Sequence, residues 1–159
     1  MPPDDLYDRD FFLWTQAQAE ALRAAGQGKR GSNSVEWERV AGEVEDLGES
    51  DLREARSYTA LIIEHLFKLA WSRRAEPRGG WQAEIVRFRG ALEDVLTASL
   101  RREVEADLER LHLRAAKAAV KAFESDEPGV STDASLRWTL SQLLGEENDP
   151  IGRARLKPV

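Results

Sequence analysis

The chain has 159 residues, of which 42% are hydrophobic and 33% are charged, a balance typical of one globular domain with a core. Its net charge of −6 argues weakly against nucleic acid as a partner, and the absence of cysteine excludes disulfides and a cysteine nucleophile. No segment approaches the roughly 18 apolar residues of a membrane span, and no signal peptide is recognisable. We therefore expect a cytoplasmic protein that contacts no membrane.

A helical period runs through the sequence, without alternating strands and hairpin turns. The first helix is predicted over residues 9–25, with Asp8 or Asp10 as its N-cap. Its predicted apolar face consists of Phe11, Trp14, Ala17, Ala21 and Leu22. The loop that follows contains GQGKRG, residues 26–31, which has the spacing of a dinucleotide-binding motif. Because a helix rather than a strand precedes it, we predict no dinucleotide site there.

The second helix is predicted over residues 34–74, where Asn33 and Glu36 have the spacing of a capping box. One apolar stripe along it consists of Trp37, Val40, Val44, Leu47, Ala55, Tyr58, Ile62, Leu66 and Leu69. The stripe keeps its phase across Gly48, which favours one continuous helix, since a helical glycine costs only about 1 kcal/mol relative to alanine. Asp51 lies near the centre of the stripe, however, and a break at Gly48 would release it. Both alternatives stay open.

A continuous second helix would be long for a domain of this size. Residues 34–74 would span about 60 Å, whereas a compact domain of this length has a radius of gyration of about 15 Å. The stripe would then extend beyond its own bundle, and a second copy of the chain is the simplest cover for it. We therefore predict a homodimer formed through this helix. The predicted contact residues are Asp51, Tyr58, Ile62, His65 and Leu66.

Three further helices complete the predicted bundle. They cover residues 80–97, residues 100–124 with Ser99 as N-cap, and a short segment within WTLSQLLG. We predict one helical domain over residues 1–146 and a flexible tail over residues 147–159.

The short carboxy-terminal helix has clear boundary signals. Thr139 and Gln142 have the spacing of a capping box, and Gly145 is expected to end the helix. The residues predicted to face inward are Leu140, Leu143 and Leu144.

Glu109 and His112 lie three residues apart in ERLH, so both would project from one helix face, as in di-iron bundles. Such a site needs a second pair and two further glutamates, and the positions before His65 hold Leu61 and Ile62 instead. We therefore predict no cofactor and no metal, with Glu109 and His112 as weak candidates. His65 is predicted to be a half-buried interface histidine.

Seven arginines form the most basic part of the sequence, with Trp71, Trp81 and Phe88 near them. This arginine cluster consists of Arg73, Arg74, Arg78, Arg87, Arg89, Arg101 and Arg102. Arginine with aromatic side chains can hold a phosphate backbone. The alternative, which we prefer, is that the aromatic residues are core and the arginines form a solvated rim.

The segment EVEDLGESDLRE, residues 43–54, contains six acidic residues. Three of them, Glu45, Asp46 and Glu49, point away from the apolar stripe, and Glu43 and Glu54 flank it. Arginines lie within helical reach of these acids, as on the solvated side of a helix. Asp51 does not fit this explanation, because an unpaired carboxylate is costly to bury. It must lie at a helix break, at an interface, or opposite a base from another helix, for which the arginine cluster supplies candidates.

Five segments in order resemble the family known as domain of unknown function family 29, which consists of short bacterial proteins. The segments are YDRDFFLWTQAQAEALR, WERVAGEVEDLGES, LIIEHLFKLAW, GWQAEIVRFRGALEDVL and WTLSQLLG. The resemblance covers residues 5–146. It implies a helical domain and a bacterial origin, and it supplies no activity, cofactor or catalytic residue.

The sequence thus predicts an all-α protein, a bundle of about four main helices with one long second helix and a short carboxy-terminal helix. The predicted function is a non-enzymatic interaction or assembly module that self-associates through the long helix, with a further protein partner not identified by sequence. The alternatives are a metal-dependent helical-bundle enzyme and nucleic-acid contact through the arginine cluster.

Overall fold

The computed structural model of the protein describes residues 5–28 and 32–151. These residues form seven α-helices and no β-strand. The helices are α1 (Leu6–Arg9), α2 (Phe11–Gln27), α3 (Trp37–Trp71), α4 (Glu76–Val95), α5 (Ala98–Ala106), α6 (Leu108–Asp126) and α7 (Leu140–Leu143). The predicted all-α bundle is confirmed. The second half of the GQGKRG segment lies outside the described residues.

Packing divides the chain into two compact units, each with its own core. Unit 1 comprises Met1–Glu54 and Leu96–Glu103, and unit 2 comprises Ala55–Val95 and Val104–Val159. Buried residues of unit 1 include Leu6, Phe12, Ala19, Ala41, Leu52 and Leu100. Those of unit 2 include Ile62, Ile63, Leu66, Phe67, Ile85, Leu92 and Leu111. The single domain over residues 1–146 stays a prediction.

Helix α2 begins where Asp10 caps it, because Asp10 Oδ1 accepts the backbone N–H of Leu13 at 3.1 Å. One of the two predicted caps is thereby confirmed. The residues that α2 buries are Phe12, Thr15 and Ala19. The apolar face predicted for this helix was therefore wrong.

An aromatic cluster on the surface of unit 1 explains that error. The rings of Tyr7 and Trp14 meet edge to face at 4.8 Å, and the rings of Phe11 and Trp14 stack at 5.7 Å. Phe11 and Trp14 are thus half-buried by their aromatic neighbours.

Helix α3 is one continuous helix of 35 residues, so it spans about 52 Å. Continuity through Gly48, one of the two alternatives, is confirmed. The helix begins at Trp37, three residues later than predicted, so Asn33 does not cap it. It ends at Trp71 rather than at residue 74.

Gly48 is buried where α2 and α3 approach closely. A Cβ atom on Gly48 would lie 2.1 Å from Thr15 Oγ1 and 3.2 Å from Phe12 Cδ2. Only a residue without a side chain leaves room for this contact. Gly48 therefore allows α2 and α3 to pack closely and does not interrupt α3.

The buried side of the first half of α3 consists of Ala41, Gly48, Leu52 and Ala55. Val40 and Leu47, which the predicted stripe placed inward, are 41% and 55% exposed. This part of the prediction was wrong, because α3 makes its close contact with α2 through the side that carries Gly48, about 100° from Leu47. In the second half, Ile62, Leu66 and Leu69 are buried as predicted.

Two helices, α5 and α6, replace the single helix predicted over residues 100–124. The interruption falls at Asp107, whose carboxylate pairs with Arg56 at 2.5 Å and with Arg110 at 3.1 Å. Helix α4 begins at Glu76, four residues before its predicted start.

Asp10 joins the starts of α2 and α5 within unit 1. Besides the N–H of Leu13, its carboxylate accepts the backbone N–H of Ser99 at 2.9 Å, the Ser99 hydroxyl at 2.5 Å and the Thr97 hydroxyl at 3.1 Å. Thr97 Oγ1 in turn accepts the N–H of Leu100 at 3.3 Å. Ser99, the predicted cap of this helix, is therefore a donor to Asp10 and lies inside the first turn.

The carboxy-terminal prediction is confirmed in detail. Thr139 and Gln142 form both bonds of the capping box, and Gly145 has φ +75° just beyond α7. Its three predicted leucines, Leu140, Leu143 and Leu144, are buried.

Part of the predicted flexible tail is bound to unit 2. Arg89 donates to both carboxylate oxygens of Asp149, at 2.8 and 3.1 Å, and Pro150 is buried. Residues 152–159 lie outside the described part of the chain.

Candidate functional site

The exposed side of the first half of α3 combines apolar and acidic residues. We define its outer stripe as Val40, Glu43, Leu47, Asp51 and Glu54, which follow one another at intervals of three or four residues. Such spacing places all five side chains along one face of the helix. Gly48 lies one residue after Leu47, about 100° further round the helix, and faces Thr15 and Phe12 of α2, so the outer stripe lies beside a buried helix contact.

Asp51 is a half-buried carboxylate within this stripe. No hydrogen-bond or ion-pair partner for it occurs among residues 5–28 and 32–151, so the predicted pairing with a base is not formed within the described chain. Burial, followed by repulsion from Glu54, raises the pKa of Asp51 above its ordinary value. The folded chain thus bears the cost of a negative charge that nothing in the described part neutralises.

The other predicted contact residues lie in unit 2. Ile62 and Leu66 are fully buried in its core and offer no surface to a second copy in this conformation. Tyr58 and His65 are half-buried and contact Phe88, with ring centroids 6.3 and 5.5 Å apart. His65 Nδ1 also bonds to the carbonyl of Leu61 at 2.7 Å. The half-burial predicted for His65 is observed, whereas its role at an interface stays a prediction.

Both ring nitrogens of His112 are engaged by its own chain. Nδ1 donates to the carbonyl of Leu108 at 2.8 Å, and Nε2 accepts the backbone N–H of Trp138 at 3.1 Å. Glu109 pairs instead with Arg137 through two bonds of 2.8 and 2.9 Å. A metal ion at either residue would have to displace these bonds, and no group of three or more potential ligands assembles within the described chain.

The electrostatics of this pair agree with a structural role. Burial lowers the pKa of His112, and this effect outweighs the hydrogen bond to Leu108, which raises it. The lowered pKa favours the neutral ring. The hydrogen bond from Arg137 holds the pKa of Glu109 below its ordinary value.

Two members of the arginine cluster act as caps at helix ends. Arg78 Nη1 donates to the carbonyls of Leu69 and Ser72, at 2.8 and 3.3 Å, beside the end of α3. Arg89 donates to the carbonyls of Leu143 and Gln142, at 2.6 and 3.3 Å, beside the end of α7. Leu69 and Leu143 lie in the last turns of their helices, so each arginine satisfies one carbonyl that a helix leaves unpaired.

Arg87, a third member of the cluster, pairs with Glu84 and lies 5.1 Å from the ring centroid of Phe88. The indole of Trp71 is buried and donates to the carbonyl of Asp133 at 3.2 Å. These contacts favour the core-and-rim explanation for the residues they involve.

A cavity of about 400 Å³ in unit 2 offers little to a ligand. Its lining includes Lys68, which pairs with Glu64 at 2.8 Å. It also includes Glu127, whose carboxylate accepts the Ser72 hydroxyl and the N–H of Arg73. Its best-buried charges are thus already neutralised, and we identify no catalytic group there.

Sequence reasoning missed a row of cations on α6. We define the basic row as Arg110, Arg114, Lys117 and Lys121, all exposed and spaced by three or four residues. Leu113, beside this row, is 51% exposed. The intervals of three and four residues between these cations are visible in the sequence. The sequence-based prediction considered only the denser arginine cluster of residues 73–102.

Among the described residues no helix has the length and hydropathy needed to cross a membrane.

A crystal structure of an alpha-helical protein of unknown function from Rhodospirillum rubrum resembles this fold. The two chains are 29% identical, the match covers 96% of this chain and 98% of the other, and the TM-score is 0.78. No curated protein matches the sequence. The family described as Domain of unknown function DUF29 matches residues 6–148. Since this match covers nearly the whole chain, the protein belongs to the DUF29 family.

Proposed function

We propose that the protein is a non-enzymatic interaction module that self-associates through the outer stripe of α3. The observation that carries this proposal is the exposure of Val40 and Leu47 on a helix whose adjacent face is packed against α2. Exposed apolar side chains on a firmly packed helix are suited to bind another protein.

The size of the apolar contact limits what it can do alone. Full burial of a valine or leucine side chain stabilises by about 1.5–3 kcal/mol, so the half-exposed Val40 and Leu47 supply about 1 kcal/mol each. Two copies would together gain about 4 kcal/mol, whereas a micromolar dimer requires about 8 kcal/mol. Polar contacts around the apolar pair must therefore contribute to a stable assembly.

Sedimentation equilibrium of the purified chain between about 1 and 100 µM tests the proposal over the affinities in question. We expect a dimer in the wild type and a dissociation constant at least about tenfold higher in Leu47→Gln, which buries an unpaired amide. Val86→Gln is the matched control, because Val86 is 62% exposed on α4 and lies outside the stripe. A monomeric wild type over the whole range would contradict self-association.

The metal-dependent enzyme and the nucleic-acid alternative receive no support from a specific contact. Glu109 and His112 are bonded to Arg137, Leu108 and Trp138, and three of the seven clustered arginines are bound within unit 2.

We further propose that the module acts in the cytoplasm of a bacterium. Its lack of cysteine suits a reducing compartment, and the similar crystallised protein comes from the bacterium Rhodospirillum rubrum. Fractionation of the source cells with an antibody against the chain tests the location, and recovery in the periplasm would contradict it.

A further inference from the structure

We infer that the outer stripe of α3 docks onto the basic row of α6 of a second copy. This inference rests on the proposed self-association and names the two surfaces that would form it. Their charges and their apolar residues make them complementary.

The basic row is rigidly presented and electrostatically unsatisfied. The opposite face of α6 is anchored in the core of unit 2 by Leu111, Ala115 and Ala119. Arg110 shares Asp107 with Arg56, but Arg114, Lys117 and Lys121 have no ion-pair partner in the described part of the chain. Three fixed cations are thus available to an acidic surface.

The outer stripe supplies the matching acidic groups. Glu43 is exposed, and Asp51 is half-buried without a pairing cation among residues 5–28 and 32–151. A lysine or arginine from another chain would neutralise Asp51 and remove the cost of its partial burial.

The apolar residues and the dimensions also match. Leu47 lies between Glu43 and Asp51, and Leu113 lies beside the cations of the basic row. Residues 43–54 and residues 110–121 each extend about 16 Å along their helices. Two such helices side by side can pair acid with base while Leu47 and Leu113 contact each other.

Pairing of the outer stripe with itself is the less favourable arrangement. It would bring Glu43 and Asp51 against the same residues of the second copy, and like charges at such distances are destabilising. Contact between the outer stripe and the basic row replaces this repulsion by attraction. If two copies exchange these contacts reciprocally, the same pair of surfaces is used twice in one dimer.

Charge reversal on each surface tests the inference. Variant X carries Glu43→Lys and Asp51→Lys, and variant Y carries Lys117→Glu and Lys121→Glu. In X alone, two acids of the outer stripe become lysines that meet the basic row. In Y alone, two lysines of the basic row become glutamates that meet the acidic outer stripe, while Arg110 and Arg114 remain. We expect each to associate at least about tenfold more weakly than the wild type, whereas an equimolar mixture forms an X–Y heterodimer within about threefold of wild-type affinity.

Two controls separate a specific contact from net charge and from misfolding. Arg73→Glu with Arg102→Glu changes the net charge as Y does, at exposed positions outside the basic row, and should leave the wild-type dissociation constant unchanged. Circular dichroism and the Tm of X and Y at low concentration report whether each still folds. Should X fail to fold, Glu43→Lys alone takes its place in the mixture.

The outcomes distinguish this inference from the proposed function. A wild-type dimer that X and Y also form unchanged would overturn the pairing of these surfaces and leave self-association standing. A monomeric wild type would overturn both. A monomer that instead binds a fluorescent DNA duplex, with affinity lost in Y and falling steeply with salt, would assign the basic row to nucleic acid and overturn the inference.

Discussion

Asp10 shows how much structure one buried carboxylate can organise. It caps α2 through Leu13 and also accepts three bonds from Ser99 and Thr97 at the start of α5. Burial tends to raise its pKa, but the bonds from Ser99, Leu13 and Thr97 outweigh that effect and hold the pKa of Asp10 below its ordinary value. Its charge therefore stabilises the fold at neutral pH and stops doing so only in strong acid.

Replacement of Asp10 should be among the most damaging single changes in unit 1. Asp10→Ala removes a helix cap and leaves the buried donors of Ser99 unpaired, so we expect the free energy of unfolding to fall by about 2–4 kcal/mol. Urea denaturation measures the loss. The exposed neighbour Asp8 serves as control, and a loss in Asp8→Ala equal to that in Asp10→Ala would contradict the assigned role.

His112 should make the protein less stable in mild acid. Because its pKa is lowered in the folded state, the unfolded chain takes up the proton first, and stability falls as the pH drops below about 6.5. Protonation would also remove the acceptor for the Trp138 N–H. We expect the difference in unfolding free energy between pH 7.5 and 5.5 to shrink in His112→Gln. An undiminished difference would assign the pH dependence to other groups.

At the scale of elements, the contact of α2 with α3 determines which side of α3 is left for a partner. The approach requires a residue without a side chain at position 48, which faces Thr15 and Phe12 of α2. The larger Val40 and Leu47 then point outward. A prediction based on hydrophobicity placed Val40 and Leu47 inward, because it counts apolar surface and takes no account of helix separation.

Two glycines of α3 should respond in opposite ways to alanine. Gly48→Ala places a methyl group 2.1 Å from Thr15 Oγ1, and we expect a loss of about 1–3 kcal/mol in unfolding free energy. Gly42→Ala meets no atom within 4 Å and should add up to about 1 kcal/mol through helix propensity. Thermal and urea unfolding of both variants check this. Equal gains at the two positions would mean that α2 does not press on Gly48.

At the scale of the whole molecule, the proposed self-association links stability to concentration. A dimer that binds through folded surfaces stabilises the native state by mass action, so its Tm should rise as the protein is concentrated. Polar contacts dominate the proposed interface, and added salt should weaken the effect.

We expect the Tm of the wild type to rise by several degrees over roughly a hundredfold range of concentration. Leu47→Gln should remove most of that rise, and Val86→Gln should preserve it. Differential scanning calorimetry provides the measurement. A Tm independent of concentration in the wild type would contradict a dimer that forms through folded surfaces.

The sequence alone determined the helical class and every boundary signal of α7. It limited the cap of α2 to Asp8 or Asp10 and left α3 either continuous or broken at Gly48. These features depend on interactions between residues a few positions apart, which the sequence displays directly. The tertiary structure decided which side of α3 is buried, that Arg78 and Arg89 cap helix ends, and that His112 is occupied by the N–H of Trp138. Each of those depends on the distance between segments far apart in the chain, which no local pattern specifies.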